Sequence, residues 1–295
     1  MTDGEGSTGL ISTAEWHKRS VRWGIGGLQA LLLFALVVGG LGPILWLAKG
    51  AITPTIDTIT HPMGLFQHGT AWSNLKEAWS TVHVGRYFWN TVVIAFGSWA
   101  SQLLVATTGG FALSVLQPRY AKVINALLLT TLFVPAVVLL VPLYIEIVHP
   151  PLFHHSLIDS YWAVWLPAGA SAFNVVLVKR FFDNLPREIF EAARIDGAGP
   201  VRTLWRIILP ISRPILAVVS ILAVVTAWKD FIWPLLVFPD TEKQTLSVML
   251  QRVAIDMPLN VLVAGMVLAS LPMVALFLAF QRQILAGLTA GSIKG

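Results

Sequence analysis

The sequence predicts an all-α integral membrane protein with six transmembrane helices. Of its 295 residues, 56% are hydrophobic and only 12% are charged, whereas soluble domains hold about 25% charged residues. A helix needs about 20 mostly apolar residues to cross a bilayer. Six runs approach or exceed this length, at 23–46, 87–116, 123–144, 161–178, 214–237 and 259–280. The first run starts too late and is too long for a cleaved signal peptide, so we expect it to be retained.

Composition also excludes several classes of site and partner. The chain contains no cysteine, so disulfides, thiolate catalysis and cysteine-ligated metal centres are excluded. The net charge of +5 and the pI near 9.7 would also suit a nucleic-acid-binding protein. In a membrane protein, however, surplus Lys and Arg more often follow the positive-inside rule. We therefore predict no nucleic-acid binding. We also predict no metal site, because the neighbouring residues His149, His154 and His155 lie in a loop without acidic partners at ligand spacing.

The distribution of basic residues predicts the orientation of the chain. With the N-terminus in the cytoplasm, fourteen of the twenty Lys and Arg residues fall in cytoplasmic segments and five fall outside, with Lys229 inside a span. Cytoplasmic loops of membrane proteins carry such an excess. The predicted organisation is a cytoplasmic tail over 1–22, a six-span domain over 23–282 and a cytoplasmic tail over 283–295. A cytoplasmic loop at 179–213 joins the fourth and fifth spans.

Local signals in this loop predict two short helices. Asn184 and Pro186 are typical of a helix start, and Gly197 is typical of a helix end, because glycine readily adopts the left-handed conformation that follows a last helical turn. Pro200 favours the start of a second helix that continues to Leu209. The membrane does not need so long a loop, so we predict a helix–turn–helix that docks on another protein.

The spacing within the loop resembles that of a known family. Glu191-Ala192-Ala193 is followed by Gly197 and then, after nine intervening residues, by Ile207 and the pair Leu209-Pro210. This pattern resembles the EAA loop of ABC importer permeases, in particular the second permease subunit of the carbohydrate-uptake, maltose-type branch. In that family the loop is a coupling helix that inserts into a cleft on the ATP-binding subunit. The residues that the resemblance assigns to ATPase coupling are Glu191, Ala192, Ala193, Asp196, Gly197, Ile207, Leu209 and Pro210.

A simpler interpretation of the charges in the loop is that they pair with one another. Arg187, Glu191 and Arg194 are three or four residues apart, so they would share a helix face. Such pairs stabilise a helix by only about 0.2–0.5 kcal/mol each. The spacing of the motif favours docking over simple pairing.

The resemblance also implies the rest of a transport system. It implies a second, homologous permease subunit, two copies of an ATP-binding subunit and an extracytoplasmic solute-binding protein, in a bacterial inner membrane. The substrate would be a sugar or oligosaccharide, moved by alternating access. ATP and Mg would be bound by the partner subunits, so we expect no cofactor, metal or catalytic residue in this chain. The stretch 287–294 lacks the adjacent Gly-Lys-Ser/Thr that a phosphate-binding loop requires.

Lys229 and Asp230 place two charges inside the fifth apolar run. Such charges cost about 2.5–3.5 kcal/mol each on insertion scales, so they usually face the bundle interior or water. Asp230 and Trp233, three residues apart, would share a helix face, where a carboxylate and an indole suit a sugar. The predicted substrate path comprises Asp230, Trp233, Lys229 and Trp228. An alternative is that Asp230 forms hydrogen bonds within the bundle; the family often has asparagine at the position of Lys229.

The second span carries small and weakly polar residues at every fourth position. Side chains of this kind let transmembrane helices approach closely, so we predict a helix-contact face rather than a solute path. These residues are Ser98, Gln102, Ala106, Gly110 and Ser114.

Three alternative functions differ in what they require of the sequence. An ABC permease for a non-sugar solute would carry the same loop. A stand-alone secondary transporter would need an ion-coupling residue, for which Asp230 is a candidate, and usually inverted repeats, of which none is evident. A membrane-embedded enzyme would need a nucleophile with a base, or paired histidine and carboxylate groups, on the spans, and none is evident.

Overall fold

The computed structural model describes residues 19–81, 83–151 and 153–290, with side chains from residue 23 to residue 281. All regular elements in these ranges are helical. The predicted tails therefore lie partly outside the described residues. In chain order the α-helices are α1 (Arg19–Ala51), α2 (Thr55–Thr60), α3 (Ser73–Thr81), α4 (Val84–Phe111), α5 (Ala121–Thr131), α6 (Leu140–Val148), α7 (Trp162–Gly169), α8 (Ala172–Asp183), α9 (Arg187–Ile195), α10 (Pro200–Thr203), α11 (Leu209–Ile211), α12 (Arg213–Lys229), α13 (Ile232–Val237), α14 (Leu246–Val253) and α15 (Leu259–Ala290). Shorter segments are π-helical at Ala112–Leu116 and Leu204–Ile208 and 3₁₀-helical at Ala136–Leu139 and Thr241–Lys243.

Three helices are each long and apolar enough to cross a membrane. They are α1, α4 with its π-helical extension, and α15. Three pairs of helical segments reach this length only together, and each pair is bent by more than 40° at a short break. The described residues thus contain up to six spans, which confirms the predicted fold class.

The breaks in the spans have local causes. After α5, Pro135 adopts an extended backbone (φ −60°, ψ 130°), and the next helical segment leaves at 107°. Between α7 and α8 the bend is 41°, and Ser171 leaves the helical conformation. The Ser171 side chain accepts a hydrogen bond from the N–H of Asn174 at 3.4 Å, as N-cap residues do. Residues with strong local preferences therefore divide the spans that hydropathy alone shows as continuous.

Helix α4 is the centre of the bundle and packs against α3, α7, α8, α12 and α14. The five residues of the stripe predicted on it, from Ser98 to Ser114 at every fourth position, are all buried. Within the stripe, Gln102 Oε1 accepts a hydrogen bond from Asn174 Nδ2 of α8 at 2.7 Å. The predicted helix-contact face is therefore confirmed.

The segment between α1 and α4 is joined to the bundle by hydrogen bonds of Asn74. Asn74 of α3 is buried, and its Nδ2 donates to the carbonyl oxygens of Ala51 and Thr53 at 3.2 and 3.1 Å. Its Oδ1 accepts from Asn260 Nδ2 of α15 at 2.7 Å. The bonds of this one buried amide thus join α3 to the end of α1 and to α15, and both of its polar atoms have partners.

Helix α1 lies outside this bundle. It packs against α15, and its most apolar stretch has no buried residues. In an aqueous protein such a surface would be unusual, but in a membrane it can contact lipid or another transmembrane helix.

Candidate coupling loop and polar groups of the fifth span

The first helix of the loop, α9, begins directly after Pro186 and ends at Ile195, in agreement with the sequence. Glu188 lies in its first turn, where an acidic side chain interacts favourably with the helix dipole. The start of α9 is thus encoded by residues within one turn of it.

Gly197 ends α9 in a left-handed conformation, with φ of +70°. Its N–H donates to the carbonyl of Arg194 at 3.0 Å, and the N–H of Ala198 donates to the carbonyl of Ala193 at 2.9 Å. These bonds satisfy carbonyl groups of the last turn. No atom lies within 4 Å of the place that a Cβ would occupy, so the backbone conformation alone favours glycine.

The second helical segment begins at Pro200, as predicted, and then widens into the π-helical turn Leu204–Ile208. Pro210 follows this turn, and its missing N–H cannot make a helical hydrogen bond. Leu204 and Ile208 are buried in a core that includes residues of α4, α8 and α12. The loop is therefore anchored to three helices of the bundle.

Helix α9 has one covered face and one free face. Ala193 is only 3% exposed, and Ile189 and Phe190 pack partly buried against the same core. Glu191 and Ala192 are exposed. The expectation that both alanines lie on a docking face is therefore wrong for Ala193, because this chain already covers it.

The other residues that match the motif divide in the same way. Ile207 and Leu209 are half-buried against the core. Asp196, Gly197 and Pro210 are exposed. The first group thus holds the loop to the bundle, and the second group is accessible to a partner.

Two exposed apolar residues of the loop were not predicted from the sequence. Val201 and Trp205 expose 72% and 56% of their surface and line a shallow hollow with Arg202 and Arg206. Their signal was the spacing of four residues, which places them on one face of a helix. Exposed apolar side chains rimmed by charge are typical of interaction surfaces.

A hydrogen-bonded carboxylate joins α8 to the end of α4. Asp183 Oδ1 accepts from Ser114 Oγ, and Asp183 Oδ2 accepts from Lys179 Nζ, both at 2.7 Å. An open groove of about 460 Å³ lies beside this contact and α9. The contact fixes the coupling loop relative to the second span.

Three of the four charged residues of α9 line this groove. Arg187, Glu191 and Arg194 all contribute to its surface. Within the described part of the chain, no ion pair shorter than 4.0 Å joins any two of them. Simple pairing along the helix is therefore not observed, and the three charged groups are accessible to a partner.

The predicted fifth span is broken at Asp230. Helix α12 ends at Lys229, Asp230 is extended (φ −67°, ψ 127°), and α13 begins at Ile232. Helical periodicity does not continue across such a break. The prediction that Asp230 and Trp233 share a helix face is therefore wrong.

Asp230 forms hydrogen bonds within the bundle, which was the alternative prediction. Its Oδ1 accepts from the backbone N–H of Trp233 at 3.3 Å, and its carbonyl oxygen accepts from Ser247 Oγ of α14 at 3.1 Å. The carboxylate thus caps the first turn of α13.

The other residues of the predicted substrate path are dispersed. Trp233 is 7% exposed, and its Nε1 donates to the carbonyl of Ala163 at 2.9 Å. Trp228 is half-buried, and its Nε1 donates to the carbonyl of Ala269 at 3.2 Å. Lys229 is exposed. In this conformation the two indoles belong to helix contacts rather than to one open path.

A small cavity beside Trp228 was not predicted. It has a volume of about 350 Å³, and its polar lining comes from α4, α14 and α15. Its polar residues are Thr91, Ser247, Gln251 and Ser270. They are far apart in the sequence, so no local pattern could have grouped them. Among the described residues, no cluster of three or more His, Asp or Glu side chains could hold a metal ion.

One comparison with known proteins covers the part of the chain that contains the loop and its flanking spans. The family model described as binding-protein-dependent transport system inner membrane component matches residues 106–289, more than half of the chain. The chain belongs to this family. It is therefore a transport subunit of an inner membrane rather than an enzyme, and the family as a whole works with solute-binding and ATPase partners.

Individual relatives of this inner membrane component are similar over most of their length. The arabinooligosaccharides transport system permease protein AraQ of Halalkalibacterium halodurans is 31% identical, covering 89% of this chain and 90% of the relative. The melibiose/raffinose/stachyose import permease protein MelC of Bacillus subtilis is 30% identical, covering 78% of this chain and 84% of the relative. The sulfoquinovosyl glycerol transport system permease protein SmoH of Agrobacterium fabrum is 29% identical, covering 91% of this chain and 94% of the relative.

A solved structure has the same fold. It is a chain of the crystal structure of a bacterial ABC transporter involved in the import of the acidic polysaccharide alginate. The TM-score is 0.80 at 21% identity, covering 90% of this chain and 98% of that chain. The fold of an ABC importer permease, inferred from the EAA spacing, is thereby confirmed.

Proposed function

We propose that this inner membrane component is the permease subunit of an ATP-driven importer for a sugar or oligosaccharide. The relatives AraQ, MelC and SmoH, each named for a sugar, an oligosaccharide or a glycoside, support this substrate class. The observation that carries the coupling role is that α9 is buried on one face and exposed on the other. Its inner face is held on the bundle, and Glu191 and Ala192 remain free for an ATPase.

The proposed assembly contains this chain, a second homologous permease subunit, two ATP-binding subunits that hold ATP and Mg, and an extracytoplasmic solute-binding protein. Both termini of the chain lie in the cytoplasm. The excess of basic residues on that side supports this orientation. The loops 117–120 and 184–212 lie at the same end of the bundle, because Ser114 is hydrogen-bonded to Asp183.

Coupling proceeds through contacts that the chain already contains. A displacement of α9 by the ATPase reaches α8 and α4 through the Ser114–Asp183 hydrogen bond. It reaches α12 through the core around Leu204 and Ile208. Closely packed helices transmit such displacements because interiors are dense and have low compressibility. The bundle then opens alternately to the two sides of the membrane. The proposed substrate path runs past Lys229 and Asp230 at the break after α12, and the rearrangement of the helices would bring Trp228 and Trp233 to it.

The variant Glu191→Lys tests the coupling role. We expect it to reduce co-purification of the ATPase at least about tenfold, because it reverses one charge on the free face of α9. The measurement is the amount of ATPase recovered with the affinity-tagged permease. Glu77→Lys, an exposed charge reversal on α3, is the matched control and keeps normal recovery. Normal recovery and transport with Glu191→Lys would contradict the coupling role.

Vesicle uptake tests the energy source and the substrate. We expect uptake of the sugar that the solute-binding protein binds, only with ATP inside reconstituted vesicles. Uptake driven by a proton gradient without ATP would instead identify a secondary transporter. A solute-binding protein that binds a polyamine or phosphonate, but no sugar, would identify a non-sugar importer.

A further inference from the structure

A basic pocket lies between the loop that follows α4 and the end of α8. Its volume is about 430 Å³, within the usual range for sites of small ligands. Three basic side chains line it, from Arg119, Lys122 and Lys179. The amides of Gln117 and Asn125 add hydrogen-bonding groups. Such a set of donors suits an oxyanion such as a phosphate.

Two of the three cations in the pocket have no acidic partner among the described residues. Lys179 is paired with Asp183 at 2.7 Å, whereas Arg119 and Lys122 are exposed and in none of the ion pairs of the described ranges. The pocket therefore retains a positive charge that an anionic ligand would neutralise.

The pocket continues directly into apolar surface. Leu116, Val123 and Leu127 are 51%, 61% and 61% exposed, and Tyr120 at the start of α5 is 61% exposed. Helix α5 is half of one bent span, so Val123 and Leu127 are exposed apolar side chains on a membrane-spanning segment. Aromatic side chains such as Tyr120 are enriched at the boundary between apolar and polar regions of a membrane.

We propose that this pocket binds the headgroup of an anionic glycerophospholipid, with its acyl chains along α5. The phosphate is held by Arg119 and Lys122, and an acyl chain covers Val123 and Leu127. Basic pockets between transmembrane helices at the cytoplasmic side recognise lipid headgroups in this way. An acidic protein surface would satisfy the two cations but would leave the apolar face of a membrane span uncovered, so the combination favours lipid. The proposal does not depend on which solute is transported.

The test is lipid binding by the purified transport complex, measured by native mass spectrometry. Phosphatidylglycerol and phosphatidylcholine with identical acyl chains are compared, and inorganic phosphate is added as a competitor. We expect phosphatidylglycerol to bind more tightly than phosphatidylcholine, and the double variant Arg119→Gln/Lys122→Gln to weaken its binding about tenfold. Lys179 is left unchanged because it also pairs with Asp183.

Two further variants separate the site from general charge and folding effects. Lys76→Gln/Arg252→Gln removes the same charge from exposed positions of α3 and α14, and we expect it to keep normal lipid binding. Arg119→Lys/Lys122→Arg keeps both charges, and we expect it to bind phosphatidylglycerol within about twofold of the unmodified chain. Unfolding temperatures of all variants, measured with no added lipid, identify any that fail to fold.

Several outcomes would overturn the proposal. One is equal affinity of the unmodified complex for the two lipids, and another is equal loss of binding in the control variant. Displacement of phosphatidylglycerol by an equal concentration of inorganic phosphate would show that the site recognises phosphate alone. Loss of the ATPase from Arg119→Gln/Lys122→Gln, with lipid binding unchanged, would show that the pocket contacts protein.

Discussion

At the residue scale, Gly197 determines where the coupling helix ends. Its φ of +70° lies in the left-handed region, which costs other residues about 1–2 kcal/mol. Its surroundings are open, so the effect of a substitution is confined to the backbone. This makes the residue suitable for separating backbone strain from packing.

We predict that Gly197→Ala lowers the free energy of unfolding by about 1 kcal/mol and weakens binding of the ATPase. Thermal unfolding in detergent and ATPase co-purification measure the two effects. Gly199→Ala is the matched control, because Gly199 has a negative φ (−68°) and equally open surroundings. Equal effects of the two substitutions would refute the role assigned to the left-handed backbone.

Asp57 is a second residue whose environment determines its chemistry. It is buried in the segment between α1 and α4, where its carboxylate pairs with the ring of His68 and accepts the His68 backbone N–H at 2.9 Å. These hydrogen bonds from His68 hold the pKa of Asp57 below its ordinary value of 3.8. Nearby His61 acts in the same direction.

We predict that Asp57 stabilises this segment at neutral pH but not in strong acid. Because its pKa is lowered in the folded protein, the contribution is fully present above pH 3.8 and is lost as the pH falls through the folded pKa. Unfolding temperatures of the unmodified chain and Asp57→Asn should therefore differ at neutral pH, and the difference should shrink as the pH falls below 3.8. Asp256→Asn, an exposed aspartate, serves as the control. A difference that persists unchanged in acid would contradict this interpretation.

At the element scale, α4 organises the bundle because neighbouring helices pack against several of its faces. Gly97 is the closest point of approach to α7: a Cβ there would overlap the indole of Trp165. A Cβ added at Gly109 on the same helix would have only ordinary contacts, the nearest to a methyl group of Val175 at 3.4 Å. The two glycines therefore differ in the space around them rather than in helix propensity.

We predict that Gly97→Ala destabilises the protein by about 1–3 kcal/mol through overpacking. Gly109→Ala should be neutral or slightly stabilising, because alanine favours the helix over glycine. Thermal unfolding of the two variants in the same detergent measures the difference. Equal stability of Gly97→Ala and Gly109→Ala would contradict the close packing of α4 on α7 at Gly97.

At the scale of the whole molecule, the α9 loop and the break at Asp230 lie at opposite ends of α12. The loop is joined to α4, α8 and α12 by the core around Ile208. The break is joined to α14 by the hydrogen bond from Ser247. Helix α12 therefore connects the surface proposed for the ATPase with the polar groups proposed for the solute.

We predict that Asp230→Ala lowers the free energy of unfolding by about 0.5–2 kcal/mol, because it removes the cap of α13. Asp230→Asn keeps an oxygen that can accept from the N–H of Trp233, so its stability should stay close to that of the unmodified chain. Transport by the reconstituted complex is measured alongside unfolding. Loss of transport in Asp230→Asn at unchanged stability would show that the negative charge acts on the solute path beyond its capping role.

The sequence predicted most of the coupling loop but not the surroundings of Asp230. Pro186, Gly197 and Pro200 set helix ends through their own backbone preferences, so a short window was sufficient. The assumption of an unbroken helix failed at Asp230, because the extended backbone there is held by Ser247, a residue of a separate element. Hydropathy cannot show such a break.

The sequence by itself determined the class of protein, the number of spans and the ends of the coupling helix. These follow from apolar run length and from residues with strong local preferences. Only the tertiary structure decided that Ala193 is covered while Ala192 is free, and that Asp183 is joined to Ser114. The physical reason is that burial and long-range hydrogen bonds depend on which helices pack against each other. Residues far apart in the chain jointly determine that packing.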